Sequence, residues 1–193
     1  MKQALSALIT CCIAATLFVD TPASAAEYEI DAGHSGVIFK ARHKHASNVY
    51  GMIGGVEGTL AYDPDNTAKN AISVSAKSAT IHTLVEGRDE HLRGPDFFNA
   101  REFPTINFKS KAWKKSDDGK YEITGDLTLL GVTKSVTAKA EHVETNEDNE
   151  GGTLIGFEAT FKFDRTDFGM TYGMGGLGSV VSIIVSIEAG EED

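Results

Sequence analysis

The sequence predicts an all-β protein of about eight short antiparallel strands, closed into an eight-stranded barrel or stacked as a two-sheet sandwich, with one short helix between strands. Three observations carry this. Apolar and polar residues alternate in run after run, as they must where one face of a strand is buried and the other wet. Turn residues punctuate the runs, as in Asp63-Pro64-Asp65-Asn66 and Asp117-Asp118-Gly119. The alternation stops once, across residues 87–98, where charged residues crowd against Phe97 and Phe98.

Residues 1–25 read as a cleaved leader. Lys2 is followed by an apolar run over residues 4–19, and Ala23-Ser24-Ala25 is an Ala-x-Ala cleavage site. The run is shorter than the roughly 20 residues that span a bilayer, which argues against an anchor. Cys11 and Cys12 leave with the leader, so the mature domain, 26–193, has no disulfide and relies on its core.

In the mature domain, Val37, Phe39, Ala41 and His43 share one strand face, and residues 58–62 form a short strand. Ile72, Val74 and Ala76 alternate with Ser73, Ser75 and Lys77. Thr83-Leu84-Val85-Glu86 fits a capping box, and Gly94-Pro95 a helix stop with a left-handed glycine, so a helix is expected over about residues 84–93. After it, Ile106, Phe108, Ser110 and Ala112 point one way. Asp118-Gly119 turns the chain into Tyr121, Ile123, Gly125, Leu127 and Leu129. Residues 131–134 turn it again, before Val136, Ala138 and Ala140. The acidic residues 144–150 read as a solvated loop. Ile155, Phe157, Ala159, Phe161 and Phe163 make the richest aromatic face, and Val181, Ile183, Val185 and Ile187 the last strand.

The formal charge of −10 argues against nucleic acid and anionic membrane surfaces, which favour clustered Lys and Arg. No later segment is apolar enough to span a membrane, so no stable insertion is expected. The product is expected to be exported and periplasmic.

The inward aromatics Phe39, Phe108, Phe157, Phe161 and Phe163 suit either a packed core or a lipid tunnel. Periodicity alone favours the packed core, because core aromatics are common; small inward residues (Gly125, Ala138, Ala140, Ala159) leave volume that a filled core normally occupies and lend support to the tunnel. His43-Lys44-His45 places two imidazoles at i, i+2 on a strand, a start for a metal site, but no third ligand is dictated by spacing. A polar group near a ligand head, or a hydrogen-bonded structural histidine, suits His43 better. Arg88, Asp89 and His91 either grip a phosphate or quinone head or hold the helix to the barrel; Asp89 and Arg93 are an i, i+4 pair. Residues 172–178 are a glycine-rich rim or lid without the ending of a phosphate loop. Signatures of a nucleophile elbow or a zinc protease are absent.

Five blocks in order make the pattern specific: His34-Ser35-Gly36-Val37-Ile38-Phe39 with His43; Arg88-Asp89-Glu90-His91-Leu92-Arg93 with Pro95-Asp96-Phe97-Phe98-Asn99; Phe103-Pro104-Thr105-Ile106-Asn107-Phe108-Lys109-Ser110; Gly125-Asp126-Leu127-Thr128-Leu129-Leu130-Gly131-Val132-Thr133-Lys134; and Phe163-Asp164-Arg165-Thr166-Asp167-Phe168-Gly169. The chain thereby resembles the YceI-like family of periplasmic isoprenoid-lipid-binding proteins over essentially its whole mature length. The resemblance implies an extended lipocalin-like antiparallel barrel around a long amphiphile, a polyprenyl phosphate or an isoprenoid quinone. It implies a carrier linked to stress, not an enzyme, with lipid as ligand and no cofactor or metal. The expected ligand contacts are Phe39, His43, Arg88, His91, Phe108, Ala138, Phe157, Phe161 and Phe163. A homodimer stays open. The competing readings are a hydrolase or metal-dependent enzyme acting on a similar amphiphile, and a filled-barrel structural stress protein. The chain departs from the family at Gly178-Ser179-Val180-Val181, where acidic residues are common, and at His45, where a small or apolar residue is expected.

Intact-mass measurement of the native protein is expected to show Ala26 as the first residue. A mature chain that keeps Cys11 and Cys12, or carries an acyl group on either, contradicts the leader.

Overall fold

The computed structural model describes residues 24–148 and 151–191, and in them ten strand segments form one antiparallel sheet that closes on itself. The segments are β1 (Ala26–Ile30), β2 (Gly36–His43), β3 (Ser47–Ile53), β4 (Glu57–Tyr62), β5 (Ala71–Lys77), β6 (Thr105–Lys115), β7 (Tyr121–Leu129), β8 (Val132–Glu147), β9 (Thr153–Asp164) and β10 (Leu177–Glu191). One α-helix is described, α1 (Glu86–Arg93). The expected leader falls almost wholly outside the described residues.

Ten segments make eight staves. Strand β10 pairs with β2 along its first part (Ile183 opposite Phe39) and with β1 at its end (Ala189 opposite Ile30). Strands β3 and β4 repeat this one stave further on, β3 against β2 and β4 against β1. The result is the closed eight-stranded antiparallel barrel. The break between β1 and β2 is held in line by side chains. Asp31 accepts from the Gly33 amide at 2.6 Å, and the Ser35 hydroxyl both donates to the Glu188 carbonyl and accepts from its amide.

Two strands escaped the sequence reading. Strand β1 is only five residues long, and β3 opens with Ser47-Asn48 and contains Gly51, so neither shows a sustained alternation. Gly51 and Gly125 have a common cause. A Cβ on Gly51 would lie 2.3 Å from the Phe39 ring, and one on Gly125 would lie 2.5 Å from the Phe108 ring. Each glycine is the seat of an aromatic ring on a neighbouring strand. Gly125 therefore does not leave open volume, contrary to its reading as a small tunnel position.

Other expectations fail for local reasons. A bulge between Ser110 and Ala112 reverses the phase of β6, so Ala112 faces out and Trp113 is buried. The turn after β7 is Leu130-Gly131, both at positive φ, rather than residues 131–134. Residues 144–147 belong to β8 rather than to a loop; 149–150 lie outside the described residues. Lys44 and His45 both have positive φ and form the hairpin turn after β2, so His43 and His45 are not an i, i+2 strand pair. Helix α1 is shorter than expected and has no side-chain N-cap; Gly94 sits at φ −75°, not in the left-handed region. Arg93 donates to the Ile81 carbonyl at 3.2 Å instead of pairing with Asp89.

The Gly125→Ala variant is expected to lose roughly 1–3 kcal/mol of stability, as overpacking does, because the added methyl meets the Phe108 ring and the Lys109 carbonyl. Equilibrium urea unfolding measures it; a variant as stable as the parent contradicts the ring-on-glycine packing.

Candidate functional site

The barrel is not filled. A cavity of about 660 Å³ runs inside it. Its walls are the inward faces of the strands: Val37 and Phe39 from β2, Phe108 from β6, Ala138 and Ala140 from β8, Phe157, Phe161 and Phe163 from β9, and Ile183 from β10. These faces exist because strand side chains alternate in and out and closure turns one whole set inward.

One end is stopped by aromatic rings. Trp113 and Phe157 line the cavity there, ring centres 5.9 Å apart and edge to face. Tyr121 packs on Trp113 at 5.5 Å and Tyr62 on Phe157 at 5.1 Å. The two tyrosine hydroxyls share a buried hydrogen bond of 2.8 Å. Burial, followed by that bond, pushes the Tyr62 hydroxyl above its ordinary pKa. Among the described residues the buried Trp113 indole N–H finds no hydrogen-bond acceptor.

The other end is polar. Three pieces form it: helix α1, the turn after β2 and the loop before β10. The Lys44 amide donates to the Gly176 carbonyl at 2.5 Å, tying turn to loop. The His91 ring packs edge-on to Tyr172 at 5.0 Å, tying helix to loop. His43, Lys44, Arg88, His91 and Arg165 all line the cavity, and among the described residues no Asp or Glu does. The carboxylates beside this opening, Asp89 and Asp96, are engaged by Thr83, His82 and His91 rather than turned into the cavity.

Two buried networks hold the mouth in shape. Arg165, 3% exposed, donates to the carbonyls of Met170, Tyr172, Leu177 and Gly178, so one guanidinium fixes the whole loop. Asp89, 2% exposed, accepts from the Thr83 amide at 2.8 Å, from the Thr83 hydroxyl and from His82 Nδ1 at 2.7 Å. Arg88 completes the knot, donating through Nε to the Thr83 hydroxyl at 2.7 Å and through Nη2 to the Thr83 carbonyl at 2.8 Å. Thr83 is therefore the hub of a tertiary knot rather than the first half of a capping box. Burial pushes the Asp89 carboxyl up, but the hydrogen bonds from Thr83 and His82 outweigh it and hold the group below its usual range.

All nine residues singled out from sequence lie on this one cavity: Phe39, Phe108, Ala138, Phe157, Phe161 and Phe163 on its walls, and His43, Arg88 and His91 at its polar end. Sequence reasoning missed Trp113 because of the β6 bulge and Lys44 because it sits on a turn with no period; Tyr172 lies in the loop read as a rim but is not singled out there as a contact. His45, the other half of the suspected metal pair, is not on the cavity wall. Among the described residues, one group has converging metal-ligand types, Asp31, His34 and Glu188. It lies on the outer wall toward the far end of β10 from Leu177, where His34 Nδ1 is 2.7 Å from Asp31 and 3.5 Å from Glu188. It ties the β1–β2 break to β10, and the hydrogen bond to Asp31 raises the His34 pKa.

Comparison with known proteins agrees with this architecture. The YceI-like domain model matches residues 28–189. Protein YceI of Salmonella newport (strain SL254) is 37% identical over 178 residues, covering 91% of this chain and 93% of its own length. Among solved structures, Burkholderia cenocepacia BcnA aligns with a TM-score of 0.74 at 19% identity, over 82% of this chain and 98% of that one. A polyisoprenoid binding domain from Saccharophagus degradans, implicated in plant cell wall breakdown, aligns with a TM-score of 0.64 at 10% identity, over 88% of this chain and 100% of that one. At those identities the two structures speak for the fold alone.

A carboxylate held below its usual pKa stabilises the fold above its unfolded pKa, near 4. That contribution is lost as pH falls through the lower folded value. Asp89→Asn is therefore expected to lower the melting temperature at neutral pH, with the gap to the parent narrowing as pH drops below about 4. An equal gap at neutral and acid pH contradicts an ionised Asp89 at the knot.

Proposed function

The chain belongs to the YceI-like family, and we propose that it is a periplasmic carrier of an amphiphilic isoprenoid lipid, a polyprenyl phosphate or a long-tailed quinone. The observation that carries this reading is the cavity's polarity: a long apolar interior stopped by rings at one end and lined by cations and imidazoles at the other. An apolar tail would lie along Phe108, Phe161 and Ala138, and an oxygen-rich head would meet Arg88, His43 and His91. The polyisoprenoid-binding description of the Saccharophagus degradans domain supports an isoprenoid tail. Export is supported by the Ala-x-Ala site, and none of the described helices is long and apolar enough to cross a membrane.

The reading is of binding rather than catalysis. Two of the groups at the mouth that could act as acid or base are engaged in holding it: Asp89 by Thr83 and His82, and His91 by Asp96 at 2.9 Å. Burying each methylene of a tail from water gains about 0.8 kcal/mol. The tail's real alternative, however, is a bilayer, which is as apolar as the barrel. Transfer between the two lies near balance, as suits a shuttle, a store or a sensor better than a scavenger.

Ala138, buried on β8, faces the cavity. In a hollow barrel Ala138→Trp fills ligand space. Uptake of a polyprenyl phosphate or long-tailed quinone by the delipidated variant is expected to fall at least tenfold, with a cooperative thermal transition near that of the empty parent. A large loss of stability, in a parent that takes up neither lipid, would falsify the carrier reading and favour a filled barrel.

A further inference from the structure

The charge of this chain is unevenly placed. Residues 32–56, which build β2, its turn and β3, contain Lys40, Arg42 and Lys44 and no Asp or Glu. Residues 169–187, which include most of β10, contain no charged residue. Strands β10, β2 and β3 are neighbours in the sheet. One side of the wall is therefore free of carboxylates, in a molecule whose total is −10. Among the described residues, the lysines that pair with carboxylates are Lys69, Lys77, Lys111 and Lys120, all outside this side.

The same side is apolar outside as well as in. Ile184, Ile38 and Met52 are register partners across the three strands, and all three are exposed. Tyr50 lies opposite Lys40 in the next row. Met52 exchanges backbone hydrogen bonds with His82, and two residues further on come Leu84 and Val85, exposed at the lip of the mouth. Tyr172 and Met174 stand on the mouth's loop. Nine of the ten large apolar side chains exposed among the described residues belong to this wall or this lip, Val143 being the other. Scattered apolar residues need no explanation, but a concentration like this does. Leu84 sharpens the point: it is 87% exposed and its backbone sits at φ +68°, a left-handed conformation that leucine rarely takes. Strain of that kind, with no packing to offset it, clusters at functional surfaces.

We propose that this side docks on an anionic phospholipid surface, the barrel lying on its β10–β2–β3 wall with the mouth at the bilayer. Leu84, Val85 and Met174 enter the interfacial layer, and Lys40 and Lys44 meet lipid phosphates. A second copy is the weaker occupant, because two such walls together oppose Lys40, Arg42 and Lys44 with no acid on β2, β3 or the facing part of β10, the exposed Glu86 and Glu90 lying on α1 beside the lip. The docking rests on the carrier reading only in that a lipid carrier must meet a bilayer. The total charge of −10, expected to exclude anionic surfaces, averages over this segregation.

The test is flotation of the natively processed protein with vesicles of phosphatidylcholine alone or mixed with phosphatidylglycerol. The protein is expected to float with the mixed vesicles, to be released by salt, and to ignore pure phosphatidylcholine. Leu84→Asp with Met174→Asp, and separately Lys40→Gln with Lys44→Gln, are each expected to cut the floating fraction about tenfold or more. Asp tolerates the left-handed backbone better than Leu, so the thermal transition of Leu84→Asp should not fall, and lost flotation is then not unfolding. A parent that fails to float with the mixed vesicles, or variants that float equally well, overturn the docking. So does a dimer in sedimentation that Ile38→Asp dissolves while vesicles stay bare, which gives the face to a second copy. Isoprenoid retained without flotation sinks the docking and spares the carrier; flotation of a barrel that takes up no isoprenoid supports the docking and sinks the carrier.

Discussion

Along its fifteen residues β10 bonds to β9 on one side and to β2 and then β1 on the other. That double pairing removes the sheet's two edges and turns every inward side chain toward a common axis. An open sheet of these strands would expose Val181, Ile183 and Ile187 to water and leave free edges. Closed, the same residues line a cavity. The hollow follows from closure together with residue size. The wall presents Ala138, Ala140 and Ala159 in places where larger residues would meet across the axis. At the far end Tyr62, Trp113, Tyr121 and Phe157 do meet and stop it.

Closure also accounts for the mouth. Strand β3 is paired to β2, but on its other side, among the described residues, it has no strand partner and a single bridge, Met52 to His82, so the stretch between β5 and β6 is needed there to complete the wall. That stretch carries α1, and the Asp89–Thr83–Arg88 knot fixes it in place. The opening is rigid where buried polar groups hold it and apolar where nothing covers it. Arg165 shows how cheaply a loop can be fixed: a single buried side chain satisfies four carbonyls and leaves the loop's own residues free to form the lip.

The alternation of β2, β7, β9 and β10 made their inward faces, and hence most of the cavity wall, legible in the sequence. Periodicity could not see features that depend on a tertiary partner. The β6 bulge exchanged Ala112 for Trp113. Gly51 and Gly125 read as weak or empty positions, yet each seats a ring from the next strand. Thr83 and Glu86 have the spacing of a capping box, but the buried Asp89 carboxylate takes the Thr83 hydroxyl, and the box does not form. The family blocks located the polar end of the cavity, since Arg88 and His91 lie in one of them. They did not reveal Lys44 or Tyr172, which reach the mouth from turns. The outer wall escaped for a different reason: total charge is a sum, and the carboxylate-free side appears only when adjacent strands are known.

The central claim is that the interior is a container for an isoprenoid chain. The most direct measurement is solvent extraction of the natively purified protein followed by mass spectrometry of what leaves it. Prenyl-containing lipid at up to one molecule per barrel is the predicted result. Straight-chain fatty acid alone would contradict the isoprenoid while keeping a lipid carrier, and protein that is consistently empty would contradict the container itself.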